Sequence, residues 1–167
     1  MGFVIRLAEP KDWQAVRDIR LRSLREEPDA YASEYQTEAR FDPGKWKQRL
    51  ATASSYLAFD DDRALVGIAT GVESPDGDVY VVGMYVVPEA RGSGCAHRLL
   101  DAIADLGIRR HGKRLVLEAA ESNIRATRSY RSYGFVETGR RRTMDRDPSI
   151  TEIEFAYPLA KRRPSHA

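Results

Sequence analysis

A chain of 167 residues with 42% apolar and 31% charged side chains suits one globular domain that buries a core unaided. Its longest apolar run, Val79 to Val87, has nine residues and is broken by Gly83, where a membrane-spanning helix needs about 20. The single Cys95 excludes an internal disulfide, and the net charge is a modest +2.

The N-terminus Met1-Gly2-Phe3-Val4-Ile5-Arg6 is too short in apolar residues for a signal-peptide core, and Arg6 stands where myristoylation wants Ser or Thr. With one cysteine besides, the expected location is the cytosol. Alternation over Phe3 to Leu7 predicts a first strand. Pro10 opens a helix running to about Arg25, with Pro28 beyond it. Asp42-Pro43 pairs an N-cap with proline at the first helical position, so a second helix covers Pro43 to Ala51. Three strands follow: Tyr56 to Asp60, Ala64 to Glu73, and the most apolar one, Asp78 to Val87. The Ser74-Pro75-Asp76-Gly77 turn joins the last two as a hairpin. A helix is expected from Ser93 to His111, with Gly112 as its left-handed terminator. One face carries Ala96, Leu99, Leu100, Ile103 and Leu106; another carries His97, Asp101, Asp105 and Arg109 at spacings of four. A buried strand, Arg114 to Ala119, and a short helix, Asn123 to Tyr133, stopped by Gly134, come next. Two strands end the chain, Phe135 to Met144 and Ile153 to Leu159, with a turn at Asp147-Pro148-Ser149. One domain over residues 1–160 and a disordered tail over 161–167 are expected.

The charge is uneven. Residues 1–90 carry 11 basic and 16 acidic side chains, net −5, and residues 91–167 carry 16 and 9, net +7. Such a split suits a protein that brings an anion and a cation together; arginines on solvated faces would also produce it.

The segment Val86-Val87-Pro88-Glu89-Ala90-Arg91-Gly92-Ser93-Gly94-Cys95-Ala96 lies between a strong strand and a strong helix. Glycines there admit close backbone approach, and the free N–H groups of a helix start favour an anion. A tight turn that merely needs glycine is the other reading. A P-loop is excluded, because no Gly-Lys-Ser/Thr follows. A dinucleotide fingerprint matches at Gly92 and Gly94, with Glu118 near the place of the ribose-binding acid. His97 stands at its third glycine position, however, and only one β-α-β unit is visible.

Arg-x-x-Gly-x-Ala at Arg91 to Ala96 resembles the acetyl-CoA loop of the GNAT superfamily of acetyltransferases. Asn123, Ala126, Tyr130 and Gly134-Phe135 are similar to a second box of that family, and the element order matches from Phe3 to Leu159. The resemblance implies an α/β (α+β) GNAT fold: a mixed, mostly antiparallel sheet of about seven strands, four helices, and a splayed central parallel pair. It implies acetyl-CoA as co-substrate, with the pantetheine arm on main-chain groups of Met84, Tyr85 and Val86. Arg91, Gly92, Ser93, Gly94, Cys95, Ala96 and His97 would hold the pyrophosphate, with Asn123 touching the same molecule or only capping its helix. Tyr130 is implied as the acid that protonates the departing thiolate, its alternative being a core tyrosine. Glu118, five residues before Asn123, resembles the base of the ribosomal-protein alanine acetyltransferase branch; Glu73 and Tyr80 are rivals. The acceptor is expected to be a small-molecule amine, a protein N-terminus or a lysine, with no nucleic-acid or membrane partner. Many members of that family dimerise, which makes a homodimer compatible with the sequence without fixing it. A catalytically silent acyl-CoA-binding module is the alternative function.

Three further residues are read from the chain alone. Cys95 is a small packing residue rather than a nucleophile. His97, His111 and His166 lack metal-ligand spacing, so no metal is expected. Arg20, on an apolar stripe with Val16 and Leu24, is either half of a buried ion pair or a clamp for a substrate anion.

Overall fold

The computed structural model describes residues 2–161. The elements are β1 (Val4–Leu7), α1 (Trp13–Glu26), α2 (Tyr35–Glu38), α3 (Pro43–Thr52), β2 (Ser54–Phe59), β3 (Leu65–Glu73), β4 (Asp78–Val86), α4 (Cys95–Arg109), β5 (Arg114–Ala120), α5 (Ile124–Tyr133), β6 (Val136–Met144) and β7 (Asp147–Pro158). Lys161, the first residue of the expected tail, closes a 3-10 turn with Leu159; the remaining tail residues lie outside the described residues. Among the described residues no helix is long and apolar enough to cross a membrane.

The seven strands form one sheet in the order β1-β2-β3-β4-β5-β7-β6. Every neighbouring pair runs antiparallel except β4 and β5. That topology removes the dinucleotide reading, because a doubly wound sheet is built of parallel neighbours. β4 and β5 stay paired only at Asp78↔Arg114, Val79↔Leu115 and Tyr80↔Val116. Beyond Tyr80 the two strands run on without pairing, β4 to Val86 and β5 to Ala120. The parting coincides with a bulge. Thr70 faces Val82 and Ile68 faces Tyr85, so Gly83 and Met84 together oppose Ala69. Gly83 takes φ +61°, which an L side chain adopts only with strain.

Helix ends follow local chemistry. Asp42 Oδ1 accepts from Lys45 N at 3.0 Å, and Asn123 Oδ1 accepts from Ala126 N at 3.1 Å. α4 begins at Cys95, two residues later than expected, because Gly92 and Gly94 take φ +75° and +89°. Its end also differs from expectation. His111, at φ 57°, takes the left-handed position, and Gly112 N then donates to Gly107 O at 2.8 Å. α2 is a single turn, too short to show a period. The last hairpin reverses at Asp145-Arg146, where Met144 pairs with Asp147, rather than at Asp147-Pro148-Ser149. Pro148 is tolerated inside β7 because β5 pairs with β7 only from Glu152 onward, so no β5 carbonyl needs its missing N–H.

α4 covers one face of the sheet with Leu99, Leu100, Ile103 and Ala104, all fully buried. The first two members of the expected polar stripe of α4 meet α5, whereas Arg109 at its end is exposed. Asp101 accepts from the Tyr133 hydroxyl at 3.0 Å, and His97 meets the Tyr133 ring edge-on, so these two seat α5. α1 and α3 cover the other face through Ile19, Leu24, Trp46 and Leu50.

Candidate active site

The parted strands open a cleft of about 1000 Å³. Its walls are β4 from Tyr80 to Val86, the turn before α4, β5 from Leu117 to Ala120, and the first half of α5. Of the residues singled out from sequence, Met84, Tyr85, Val86, Arg91, Gly92, Gly94, Cys95, Ala96, His97, Glu118, Asn123 and Tyr130 all line it. Ser93 does not. Its hydroxyl turns back to the Ala90 carbonyl, and its side chain faces a shallow surface hollow beside Phe3. Glu73 is also outside, half-exposed near Arg110 at 3.6 Å, while Tyr80 does line the cleft.

The turn before α4 is shaped for an anion. A Cβ placed on Gly92 or Gly94 would meet no atom within 4 Å, so open space lies over both. The first intrahelical bond of α4 is donated by Arg98 to Gly94 O at 3.1 Å. The N–H groups of Cys95, Ala96 and His97 therefore lack helical partners and sit at the positive end of the dipole. These features fit a pyrophosphate.

The neighbouring side chains are more committed than the sequence suggests. Arg91 folds back, giving Nε to Val86 O at 3.0 Å and Nη2 to Glu27 Oε1 at 2.7 Å. Arg125 bonds the same Glu27 oxygen, so Glu27 ties the end of α1 to both lips of the cleft. The Tyr31 hydroxyl donates to Met84 O at 2.9 Å. Among the main-chain groups of Met84 to Val86 expected to serve a pantetheine arm, the Met84 and Val86 carbonyls thus already accept a protein donor. The Tyr85 side chain points away, to Glu26. Burial pushes the Tyr31 phenol up to about 12.

Tyr130 is partly buried, edge-on to Phe135 at 6.0 Å and tilted against Phe155 at 6.2 Å. Burial foremost, then nearby Tyr31 and Glu27, raises its phenol well above the ordinary tyrosine range. It is a neutral donor at any physiological pH. Its hydroxyl makes no hydrogen bond among the described residues.

The acidic side of the cleft follows from strand register. Glu118 pairs with Glu154, Ala120 with Glu152, and Arg142 with Glu152. Direct cross-strand partners share a face, so Glu118, Glu152 and Arg142 project together. Arg142 Nη2 lies 2.7 Å from Glu118 and 3.1 Å from Glu152. Sequence reasoning passed over Glu152 and Arg142. The alternation Thr151-Glu152-Ile153-Glu154-Phe155 does put both glutamates on one face, but nothing in it says what that face meets.

Arg20 forms a buried ion pair and also lines the cleft, with its Nη1 buried and lacking a hydrogen-bond partner. Its Nε and Nη2 donate to Glu38 at 3.2 and 3.0 Å, and Arg49 adds a third bond at 2.8 Å. Burial alone would raise the Glu38 carboxyl, yet the two arginines hold it below its usual range. Cys95 is buried, and burial lifts its thiol to about 11. His97 Nε2 meets Ser129 O at 3.3 Å and Ser132 Oγ at 3.2 Å. Among the described residues no three His, Cys, Asp or Glu side chains gather as a metal site; His166 lies outside those residues.

A family model described as the acetyltransferase (GNAT) family matches residues 13–135. Curated protein sequences gave no match. Among solved structures, the chain is similar to nourseothricin acetyltransferase at 25% identity and TM-score 0.61, over 65% of this chain and 66% of that one. It is similar to the Salmonella typhimurium protein yncA, solved with its cofactor acetyl-CoA, at 18% identity and TM-score 0.75, over 100% and 99%. Spermidine N-acetyltransferase from Vibrio cholerae, solved with CoA and spermine, follows at 14% identity and TM-score 0.74, over 95% and 96%. The match of the family model to most of the chain, on a seven-stranded sheet parted at its one parallel pair, makes this protein a member of the GNAT acetyltransferase family.

Proposed function

We propose that the chain moves an acetyl group from acetyl-CoA to a primary amine by direct attack within a ternary complex. The observation that carries this reading is the single cleft between β4 and β5, which brings together an anion-binding helix start, a neutral tyrosine and a carboxylate pair. Bound acetyl-CoA supplies an activated acyl carbon and a thiolate leaving group. The N–H groups of Gly92 to His97 would hold its pyrophosphate, and the unpaired stretch of β4 around Met84 would hold the pantetheine arm. Asn123 serves its helix cap and borders the same path. A main-chain N–H near Met84 would polarise the thioester carbonyl.

An alkyl ammonium keeps its proton at pH 7, so the acceptor must lose one before it can attack. Glu118, at the cleft edge, is a carboxylate on the path of that proton to water. Tyr130 donates to the sulfur as it leaves. The Cys95 thiol takes no part in the chemistry: burial lifts it to about 11, so it carries almost no thiolate at neutral pH. The solved relatives with acetyl-CoA, or with CoA and spermine, support the same substrate classes here, as does the carboxylate pair lining the cleft.

The test has two arms. CoA should raise the Tm by mass action while NAD leaves it unchanged. A panel of polyamines, amino acids, an aminoglycoside and short peptides with free N-termini should show amine-dependent release of CoA thiol. A protein that binds CoA yet releases no thiol with any amine would be a binding module instead.

A further inference from the structure

Glu152 stands out among the buried groups. Its side chain is only 7% exposed, and its Oε2 is buried with no hydrogen-bond partner. Arg142 Nη2 is 3.1 Å away but lacks hydrogen-bond geometry, and the same nitrogen lies closer, 2.7 Å, to Glu118. Buried carboxylate oxygens are normally bonded, and leaving one without a donor is costly. The residue also lines the cleft, as do Tyr31 and Arg20. An N–H donor in hydrogen-bond geometry to this oxygen is what a substrate ammonium would supply.

We infer that Glu152 is the residue that binds the acceptor ammonium and takes its proton, with Glu118 passing that proton on to solvent. This deepens the acetyltransfer reading and rests on it. Arg142 is a positioning residue: its Nη2 spans the two carboxylates, meeting Glu152 at Oε2 itself and lying closer to Glu118. The charged groups acting on Glu152 are Arg142 on β6, Glu118 on β5 and Asp145 in the turn. Burial first, then Glu118 and Asp145, raises the Glu152 carboxyl above its usual range despite Arg142. That makes it a better proton acceptor than an open carboxylate. Glu154, two residues on and on the same face, is already engaged by Thr138 Oγ1 at 2.8 Å and by Arg140 at 3.7 Å.

The protons and bonds balance. One N–H proton of the ammonium goes to Glu152 and leaves through Glu118 to water. The nitrogen lone pair forms the C–N bond as the thioester C–S bond breaks. The thiolate gains a proton through Tyr130, replaced by a second proton from the attacking nitrogen. The net products are the acetamide, CoA thiol and one proton.

The experiment uses the full chain, acetyl-CoA and whichever amine of the panel releases thiol fastest, in single turnovers from pH 6 to 10. Glu152→Gln should lose about 10²-fold at neutral pH and regain rate as free amine accumulates, while keeping the CoA-induced rise in Tm. Glu118→Gln should lose less, and Glu154→Gln should match wild type. A folded Glu152→Gln with the wild-type rate and pH profile overturns the assignment, as does a larger loss in Glu118→Gln. Should Glu152→Gln fail to bind CoA, Glu152→Asp decides, since it keeps the charge but withdraws it by one methylene. A fall in rate supports the assignment and a wild-type rate overturns it. Failure of the acetyltransfer reading shows separately, as wild-type protein that binds CoA yet releases no thiol with any amine, and the assignment then falls with it.

Discussion

Tyr130→Phe deletes one oxygen from the cleft and leaves the ring. The structure sets the magnitudes. The hydroxyl makes no hydrogen bond among the described residues, whereas the ring packs against Phe135 at 6.0 Å and Phe155 at 6.2 Å. Stability should therefore change by less than about 0.5 kcal/mol, because neither a hydrogen bond nor ring contact is lost. Acetyl-CoA affinity should be nearly unchanged. The chemical step should slow by about 10- to 100-fold, at or below the low end of the range for general acids. Because the buried phenol titrates far above neutrality, wild-type activity should show no loss attributable to its ionisation up to about pH 9. Product release can mask the effect in kcat, so the assay is a rapid-quench single turnover with enzyme in excess. A Tyr130→Phe variant that transfers at wild-type speed would make Tyr130 a packing residue and refute its role as acid.

Two further outcomes follow from local geometry. Gly94→Glu should weaken CoA binding by more than tenfold in calorimetry: φ +89° strains any L side chain there, and the added carboxylate would fill and repel the phosphate space. Unchanged affinity in a folded variant would remove the anion cradle. Asp12 accepts two bonds from Arg6 at 2.8 Å and one from Glu9 N at 2.7 Å. The Arg6 hydrogen bond foremost holds its carboxyl at about 2, below the ordinary 3.8. The folded state is thus favoured above about pH 4 and loses that advantage as pH falls toward 2. Asp12→Asn should cost about 1–2 kcal/mol at pH 7 in urea titrations, with the difference from wild type shrinking through that window.

Much of this molecule is legible in its sequence, and the pattern of what is not is physical. Caps and periods are local. Asp42-Pro43, Asn123 and Gly134 mark helix ends because each satisfies or releases backbone groups within four residues. The glycine loop was legible for the same reason, since Gly92 and Gly94 sit in a short strand-to-helix turn where glycine permits positive φ. Long-range pairing was not. Nothing near Arg20 names Glu38 as its partner, and nothing in Thr151 to Phe155 says that Glu152 will face a cleft beside Arg142. The last hairpin turn was misplaced because Pro148 looks like a turn residue. Arg146 bonds the carbonyls of Pro28 and Tyr31, and the chain reverses beside it. Side-chain commitments inside the site, such as Arg91 to Val86 O or Tyr31 to Met84 O, depend on the same distant encounters.

The central claim is direct transfer inside the cleft of β4 and β5, and one measurement addresses it. Enzyme loaded with acetyl-CoA labelled in the acetyl group is mixed with the most reactive amine and quenched across a single turnover. Label should pass from acetyl-CoA to the amine in one phase, with none on the protein at any time. Label that accumulates on the protein before reaching the amine, or that stays in acetyl-CoA bound to the folded chain, would contradict the account.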